Sequence, residues 1–179
     1  MDFTRLSDFL DFLPEGKGIP GVDLSVYKDG EEVFRHSAGC DDIEKGTPAR
    51  RDALYNMYSC SKVVTCAAAL TLFEKGKFLL GDPLYEYLPE FRDMTVRSVG
   101  KETVPCPKPI LIRHLFNMTA GLDYDLVAPE IRKVKTASGG CCPTRETIRS
   151  LASRPLWFVP GTKWQYSLCH DVLGALIEE

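Results

Sequence analysis

One helical segment constrains the fold of this chain more than any other feature of its sequence. Apolar side chains recur at helical spacing over residues 63–73, and Lys75 followed by Gly76 supplies a stop signal. Ser59 and Lys62 lie three residues apart at the start of this segment, so a helix places both side chains on one face. The positive end of the helix dipole favours an alkoxide-like serine there. The pair is therefore a candidate nucleophile and base.

The same Ser-x-x-Lys spacing occurs twice more, at residues 25–28 and 98–101. The first match falls in an alternating, strand-like run, where residues three apart point to opposite faces of the sheet. The second falls in a polar, glycine-containing stretch without apolar periodicity to fix either side chain. Context therefore favours the pair formed by Ser59 and Lys62.

Each member of this pair also has a structural interpretation. Serine is a common residue at helix starts, so Ser59 is equally suited to be an N-cap. Lys62 is alternatively a solvated lysine of the first turn, although the helix dipole disfavours a cation in that position. On local sequence alone, both interpretations of Ser59 remain open.

Composition excludes several classes of function. The 179 residues are 44% apolar and 26% charged, with a net charge of −3 and dispersed basic residues, so no nucleic-acid partner is expected. No apolar run approaches the roughly 20 residues of a membrane span. Residues 1–14 form an amphipathic helical pattern that differs from a signal peptide.

Seven cysteines without a signal peptide indicate reduced thiols and a cytoplasmic location. Cys141-Cys142 and Cys169-His170 lack the matched ligand pairs typical of zinc sites, so no metal is expected.

The order of the local helix and strand patterns predicts that the chain has two parts, residues 1–58 and residues 59–179. Residues 1–58 contain the first helix and a β-hairpin at 22–36 with an Asp29-Gly30 turn, followed by a loop at 39–51. Residues 59–179 contain the helix described above and a short helix at 82–87 capped by Asp82. A small hairpin near 95–104 and a helix at 109–118 follow, then an irregular stretch at 123–143 and helices at 144–153 and 167–179. A lone hairpin and an uncapped final helix suggest the N-terminal portion of a longer protein.

Five phrases, taken in order, resemble a known family. The phrases are Asp52–Lys62, Glu74–Pro83, Tyr87–Phe91, Ile112–Leu122 and Pro160–Ser167. Each phrase is weakly specific alone, whereas the ordered set is highly specific. The set looks like the serine β-lactamase-related hydrolases, which include class C β-lactamases, penicillin-binding DD-peptidases and esterases of the same fold.

The resemblance implies an α/β (α+β) fold in which helices flank an antiparallel sheet beside a helical subdomain. The hairpin at 22–36 supplies N-terminal strands of that sheet, and its C-terminal strands are expected beyond residue 179. The third motif of the family, Lys-Thr-Gly or an equivalent, is absent from the sequence. Residues 135–137 (Lys-Thr-Ala) come close but precede the tyrosine motif, which is the wrong order.

The resemblance also implies roles for individual residues. Ser59 corresponds to the acylated nucleophile, Lys62 to the residue that holds the hydrogen-bond network and shares the proton, and Tyr166 to the tyrosine that acts with it as general base. Tyr166 is alternatively a core tyrosine. Leu168 stands where the tyrosine motif has an asparagine that binds an amide of the substrate, so it is a candidate substrate-binding residue. Trp164 is another, although packing in the core suits it and Trp157 equally.

No Ser-His-Asp triad is expected, because His114 has no obvious acid partner in the sequence and is interpreted, like His36 and His170, as a structural histidine. The predicted function is a serine hydrolase that forms an acyl-enzyme on Ser59 without metal or cofactor. Leu168 cannot replace the amide contact, which favours carboxylic esters over lactams. The alternatives are a β-lactamase or DD-peptidase, and a non-catalytic binding fragment. Expected partners are a small ester or lactam substrate and either the missing C-terminal polypeptide or a second copy.

Overall fold

The computed structural model describes residues 1–98 and 102–179, and the chain divides into unit 1 (residues 1–56) and unit 2 (residues 57–179). The division predicted between residues 58 and 59 lies just after this boundary. Both units combine helices with antiparallel strands, as the predicted α+β class requires. The competing Ser-x-x-Lys match at Ser98 ends at Lys101, which lies outside the described residues.

Unit 1 packs one helix against a small sheet. Helix α1 (Thr4–Lys17) ends at Gly18, which has a left-handed φ of 65°. The sheet has the order β1-β2-β3 and is antiparallel throughout, with β1 (Gly21–Lys28), β2 (Glu31–Asp42) and β3 (Thr47–Pro48). Asp29 and Gly30 both have positive φ, of 54° and 83°, which confirms the predicted hairpin turn.

The loop predicted at residues 39–51 is partly wrong. Strand β2 continues to Asp42, and Cys40 pairs with Pro48 across the ladder to β3. Asp42 closes the intervening turn because its carboxylate accepts a hydrogen bond from the Lys45 backbone N–H at 3.1 Å. The polar composition predicted a loop, whereas pairing along the edge of β2 adds a short strand.

Unit 2 begins with the segment that carries Ser59. A 3₁₀ turn (Tyr58–Cys60) leads directly into helix α2 (Ser61–Glu74), and the helix ends at Lys75 before Gly76, whose φ is 68°. The predicted stop signal is thereby confirmed. The short helix predicted at residues 82–87 is a 3₁₀ turn (Leu84–Glu86), since Pro83 keeps an extended ψ of 131°.

The remaining elements of unit 2 include one helix that the sequence did not predict. Strands β4 (Thr95–Arg97) and β5 (Thr103–Pro105) form the expected small hairpin. The helices that follow are α3 (Ile112–Phe116), α4 (Pro129–Ala137), α5 (Thr144–Leu151) and α6 (Cys169–Glu178). Helix α4 replaces the predicted irregular stretch at 123–143. It is strongly polar and buries only Ile131, so its apolar stripe is too narrow to stand out in the sequence.

The core of unit 2 lies where helices α2, α3, α5 and α6 meet the segment at residues 84–96. Its members are apolar and almost wholly inaccessible to water, so their burial is the main stabilising contribution in this unit. The largest of these side chains in unit 2 are Leu84, Leu88, Phe91, Ile110, Ile112, Leu115, Ile148, Leu156, Val172 and Leu173.

Shortening a core side chain on α6 tests this packing. We expect Leu173→Ala, at a fully buried position, to lower the free energy of unfolding by about 2–5 kcal/mol, because it removes buried methyl groups and leaves a cavity. The matched control is Leu79→Ala, whose side chain is 62% exposed and should change stability by no more than about 0.5 kcal/mol. Urea denaturation measures both, and equal effects would contradict the described core.

Candidate functional site

Ser59 lies in the 3₁₀ turn immediately before α2. The preceding residue, Tyr58, has a φ of 43°, a left-handed conformation that is uncommon for a residue with a side chain and is found at functional turns. The N-cap of α2 is Cys60, and no side-chain capping bond is made there. Ser59 Oγ instead lies 2.5 Å from the hydroxyl oxygen of Tyr166. The structure thus gives the Ser59 hydroxyl a contact other than helix capping.

Backbone pairing brings Tyr166 to Ser59 across 107 positions of sequence. Residues 118–123 run beside residues 157–168, and four backbone N–H groups of the second segment donate to carbonyl groups of the first. The donor–acceptor pairs are Trp157 to Gly121 at 2.8 Å, Gly161 to Thr119 at 2.8 Å, Gln165 to Met118 at 3.1 Å, and Leu168 to Asp123 at 2.9 Å. These bonds fix the backbone on both sides of Tyr166.

Lys62 follows Ser59 by three residues, on the first turn of α2. Its ammonium nitrogen lies 5.4 Å from the ring centroid of Tyr166 and 5.4 Å from that of Tyr124. The two rings are themselves 4.9 Å apart, with planes inclined by 58°. Both distances are within the range of cation–π attraction, so the two rings and the ammonium form one cluster.

Electrostatics at this cluster favour the ionised form of Tyr166. The hydrogen bond from Ser59 is the main cause that lowers the pKa of the Tyr166 hydroxyl, against a smaller opposing effect of desolvation. The Lys62 ammonium and a polar contact with Tyr124 lower it further. A phenolate is stabilised by donors and by a nearby cation. At a given pH, a larger fraction of Tyr166 than of an isolated tyrosine is therefore phenolate, the form that accepts a proton.

A pocket of about 500 Å³ opens beside these residues. Tyr124 and Asp171, which the sequence did not single out, contribute to its wall together with Ser59 and Lys62. Desolvation by the surrounding protein raises the pKa of the partly exposed Asp171 carboxyl, and the Lys62 ammonium has a smaller, lowering effect on the same pKa. In the sequence, the one indication of Tyr124 is that it lies two residues after the family phrase that ends at Leu122. The other lining residues are Tyr58, Ser61, Thr65, Leu126, Thr144, His170, Gly174 and Glu178.

Two predicted substrate-binding residues are placed elsewhere. Leu168 is only 4% exposed and belongs to the hydrophobic core, so the prediction that its side chain meets substrate is wrong. The physical reason is the start of α6, where the Leu168 N–H bonds to Asp123 and the side chain turns toward the core. Trp164 is 67% exposed and, in the described part of the chain, is not among the residues lining this pocket.

The histidines have structural contacts of their own. His114 is buried, and its Nδ1 accepts a hydrogen bond from the Leu111 backbone N–H at 3.1 Å. Burial, together with the nearby charge of Arg113, lowers the pKa of His114. His36 Nε2 lies 2.7 Å from Asp11 in unit 1, and His170 Nε2 lies 3.1 Å from the Phe116 carbonyl. Within residues 1–98 and 102–179, none of these rings bonds to Ser59.

Across the described residues, no group of three histidine, cysteine or acidic side chains is arranged to hold a metal ion. None of the helices in that same part of the chain is both long and apolar enough to cross a membrane. All seven cysteines are free, and Cys60 beside Ser59 is exposed.

Comparison with known proteins shows the family of the chain. The sequence pattern of the family described as Beta-lactamase matches residues 6–179. The chain belongs to the beta-lactamase family. It is 35% identical to esterase EstB of Burkholderia gladioli over 181 residues, which cover 98% of this chain and 44% of EstB. The predicted family resemblance is confirmed.

Solved structures agree on the fold. The structure of EstCE1, described as a hydrolase with promiscuous acyltransferase activity, matches with a TM-score of 0.78 and 28% identity, over 98% of this chain and 46% of that one. An octameric penicillin-binding protein homologue from Pyrococcus abyssi matches with a TM-score of 0.70 and 24% identity, over 99% and 39% of the two chains. The predicted fold class is confirmed, and the chain spans less than half the length of these relatives.

Replacing Leu168 with the asparagine expected from the tyrosine motif tests its placement. We expect Leu168→Asn to destabilise unit 2 by about 2–5 kcal/mol, because a buried amide loses hydrogen bonds to water and the leucine methyl groups are lost from the core. Leu168→Met, which nearly conserves volume, should cost less than about 1.5 kcal/mol. Thermal and urea unfolding measure both. A stable Leu168→Asn variant that gains reactivity with penicillin would place this side chain at the site.

Proposed function

We propose that this chain carries the nucleophile and base of a serine hydrolase that forms an acyl-enzyme on Ser59, with carboxylic esters as substrates. The 2.5 Å contact between Ser59 Oγ and the Tyr166 hydroxyl, beside the Lys62 ammonium, is the observation that carries the proposal. A serine hydroxyl is a weak nucleophile until a neighbouring base takes its proton. Tyr166, with its lowered pKa, is the proposed base.

The proposed acylation begins with proton transfer. The Tyr166 phenolate accepts the proton of Ser59 while Ser59 Oγ forms a bond to the carbonyl carbon of the ester. The carbonyl π electrons move to its oxygen and give a tetrahedral oxyanion. When the carbonyl re-forms, the bond to the alcohol oxygen breaks, and the leaving alkoxide takes the proton that Tyr166 holds.

Deacylation runs through the same groups in reverse order. Tyr166 takes a proton from water, the hydroxide oxygen bonds to the acyl carbon, and Ser59 leaves as a hydroxyl after recovering that proton. Throughout, Lys62 stays next to the oxygen that alternates between phenol and phenolate. The Ser59 backbone N–H is one proposed donor to the oxyanion, and a strand supplied by further polypeptide is the second.

The preference for esters rests on residue 168. No asparagine stands at position 168, and the buried Leu168 side chain gives the pocket no hydrogen-bonding group for the amide of a lactam or peptide. An ester substrate without that amide group has no contact with the asparagine to lose, so leucine at position 168 does not weaken its binding. The name of the related esterase EstB supports the same preference. A β-lactamase or DD-peptidase activity is the second candidate, supported by the family itself. The cytoplasmic location expected from the cysteines stays a prediction.

Covalent labelling tests the nucleophile. We expect a fluorophosphonate probe to add one adduct to the 179-residue chain, and Ser59→Ala to abolish it, because the probe reacts only with an activated hydroxyl. Ser25→Ala is the matched control, since it removes the competing Ser-x-x-Lys serine, which lies in β1 and bonds to Glu32 at 3.0 Å. Intact-mass spectrometry measures the adducts. A folded chain that takes up no probe would favour a binding fragment, and an adduct that survives Ser59→Ala would reassign the nucleophile.

The order of substrates tests the proposed ester preference. We expect p-nitrophenyl acetate to acylate Ser59 faster than nitrocefin does, by roughly tenfold or more, since the lactam lacks its amide contact. Multiple turnover should be slow for both, because the second oxyanion donor and the third motif are absent from residues 1–179. Stopped-flow release of p-nitrophenol, with intact-mass analysis of the acyl adduct, measures these rates. Faster acylation by nitrocefin would support the β-lactamase alternative.

A further inference from the structure

Tyr124 is the third aromatic group of the site, and neither the motifs nor the proposed reaction assigns it a role. Its ring lies 4.9 Å from that of Tyr166 and 5.4 Å from the Lys62 ammonium. The ring is partly exposed and forms part of the pocket wall beside Ser59. A tyrosine at this position therefore touches the two groups that the proposed function uses as base and cation.

The residue before Tyr124 is anchored on several sides. The Asp123 carboxylate accepts hydrogen bonds from Arg154 at 2.6 Å and from the Trp157 indole N–H at 3.0 Å. Its backbone carbonyl accepts the Leu168 N–H at 2.9 Å. Arg154 and Asp123 are both largely buried, so their ion pair is weakly screened by water.

A second cation, Arg97, contacts Trp157, one of the residues that bond to the Asp123 carboxylate. The Arg97 guanidinium stacks on the Trp157 ring at 3.7 Å, while the indole nitrogen of that ring donates to Asp123. Arg97 belongs to β4, whose backbone N–H at this residue also bonds to the Leu156 carbonyl at 2.9 Å. The segment that leads to Tyr166 and the residue that precedes Tyr124 are therefore fixed to the same framework.

We infer that Tyr124 is a positioning residue of the reaction centre, whose ring and that of Tyr166 together hold the Lys62 ammonium beside the Tyr166 oxygen. This inference rests on the proposed function and names a residue that the reaction needs besides Ser59, Lys62 and Tyr166. A lysine side chain has several rotatable bonds, and two ring faces restrict where its charge lies. Without the Tyr124 ring, the ammonium is free to move into the open pocket and toward Asp171, which lines the same wall.

Two substitutions separate the ring from its hydroxyl. We expect Tyr124→Leu, which removes the ring, to slow fluorophosphonate acylation of Ser59 by roughly 3- to 30-fold, the range that corresponds to loss of one cation–π contact. Tyr124→Phe keeps the ring and should retain most of the rate. The matched control is Tyr85→Leu, because Tyr85 also lies under a cation, Arg92 at 4.3 Å, but does not line the pocket. Thermal unfolding checks that all variants are folded.

Titration of the tyrosines gives a readout that does not depend on activity. Subtracting the ultraviolet titration of a Tyr166→Phe variant isolates Tyr166 from the other tyrosines. In Tyr124→Leu we expect Tyr166 to ionise at higher pH than in both the parent chain and Tyr124→Phe, and the acylation rate to need the same higher pH. The acidic, basic and histidine side chains that line the pocket with Tyr124 are Lys62, His170, Asp171 and Glu178, and these are unchanged in every variant.

The outcomes distinguish this inference from the function on which it rests. If the parent chain acylates and Tyr124→Leu alters neither its rate nor the ionisation of Tyr166, the positioning role is wrong. If the rate falls while the ionisation of Tyr166 stays constant, Tyr124 only contacts the probe, and the role is equally wrong. If no chain acylates but Tyr124→Leu still raises the pH at which Tyr166 ionises, the positioning role stands and the proposed hydrolysis fails.

Discussion

The hydrogen-bonded alignment of residues 118–123 with residues 157–168 is the constraint on which the rest of the site depends. Each backbone bond in this pairing is modest in net free energy, but together they remove the freedom of two segments that have little regular secondary structure. Tyr124 follows one segment and Tyr166 lies within the other. Their rings meet because the backbones are held, and Ser59 and Lys62 approach them from the start of α2.

This arrangement explains why one side of the site is rigid and the other is open. Helix α6 begins directly after Leu168 and buries its apolar face with α2, α3 and α5, so the Tyr166 segment is tied to the core of unit 2. In contrast, Val63 and Val64 on α2 are 73% and 66% exposed. A helix that is apolar on all sides is ordinarily buried on all sides. The related proteins EstB and EstCE1 are more than twice as long as this chain.

Much of the local structure could be predicted, and each failure has a physical cause. The hairpin at Asp29-Gly30 and the end of α2 at Gly76 were predictable because both depend on residues that tolerate positive φ. Helix α4 was missed because four of its nine residues are charged and its single buried side chain carries no periodic signal. Strand β3 was missed because two residues become a strand only when β2 is there to pair with them.

The sequence by itself determined which residues are available for chemistry. Ser59 and Lys62 share a face because three residues of helix separate them, and the ordered phrases selected Tyr166 from seven tyrosines. Only the tertiary structure decided how these groups meet, since no local pattern relates residues 107 positions apart. The tertiary structure also places the Tyr124 ring in the cluster and buries the Leu168 side chain in the core. The backbone bond from the Leu168 N–H to the Asp123 carbonyl, next to Tyr124, joins these two positions, and a linear pattern contains no information on such a bond.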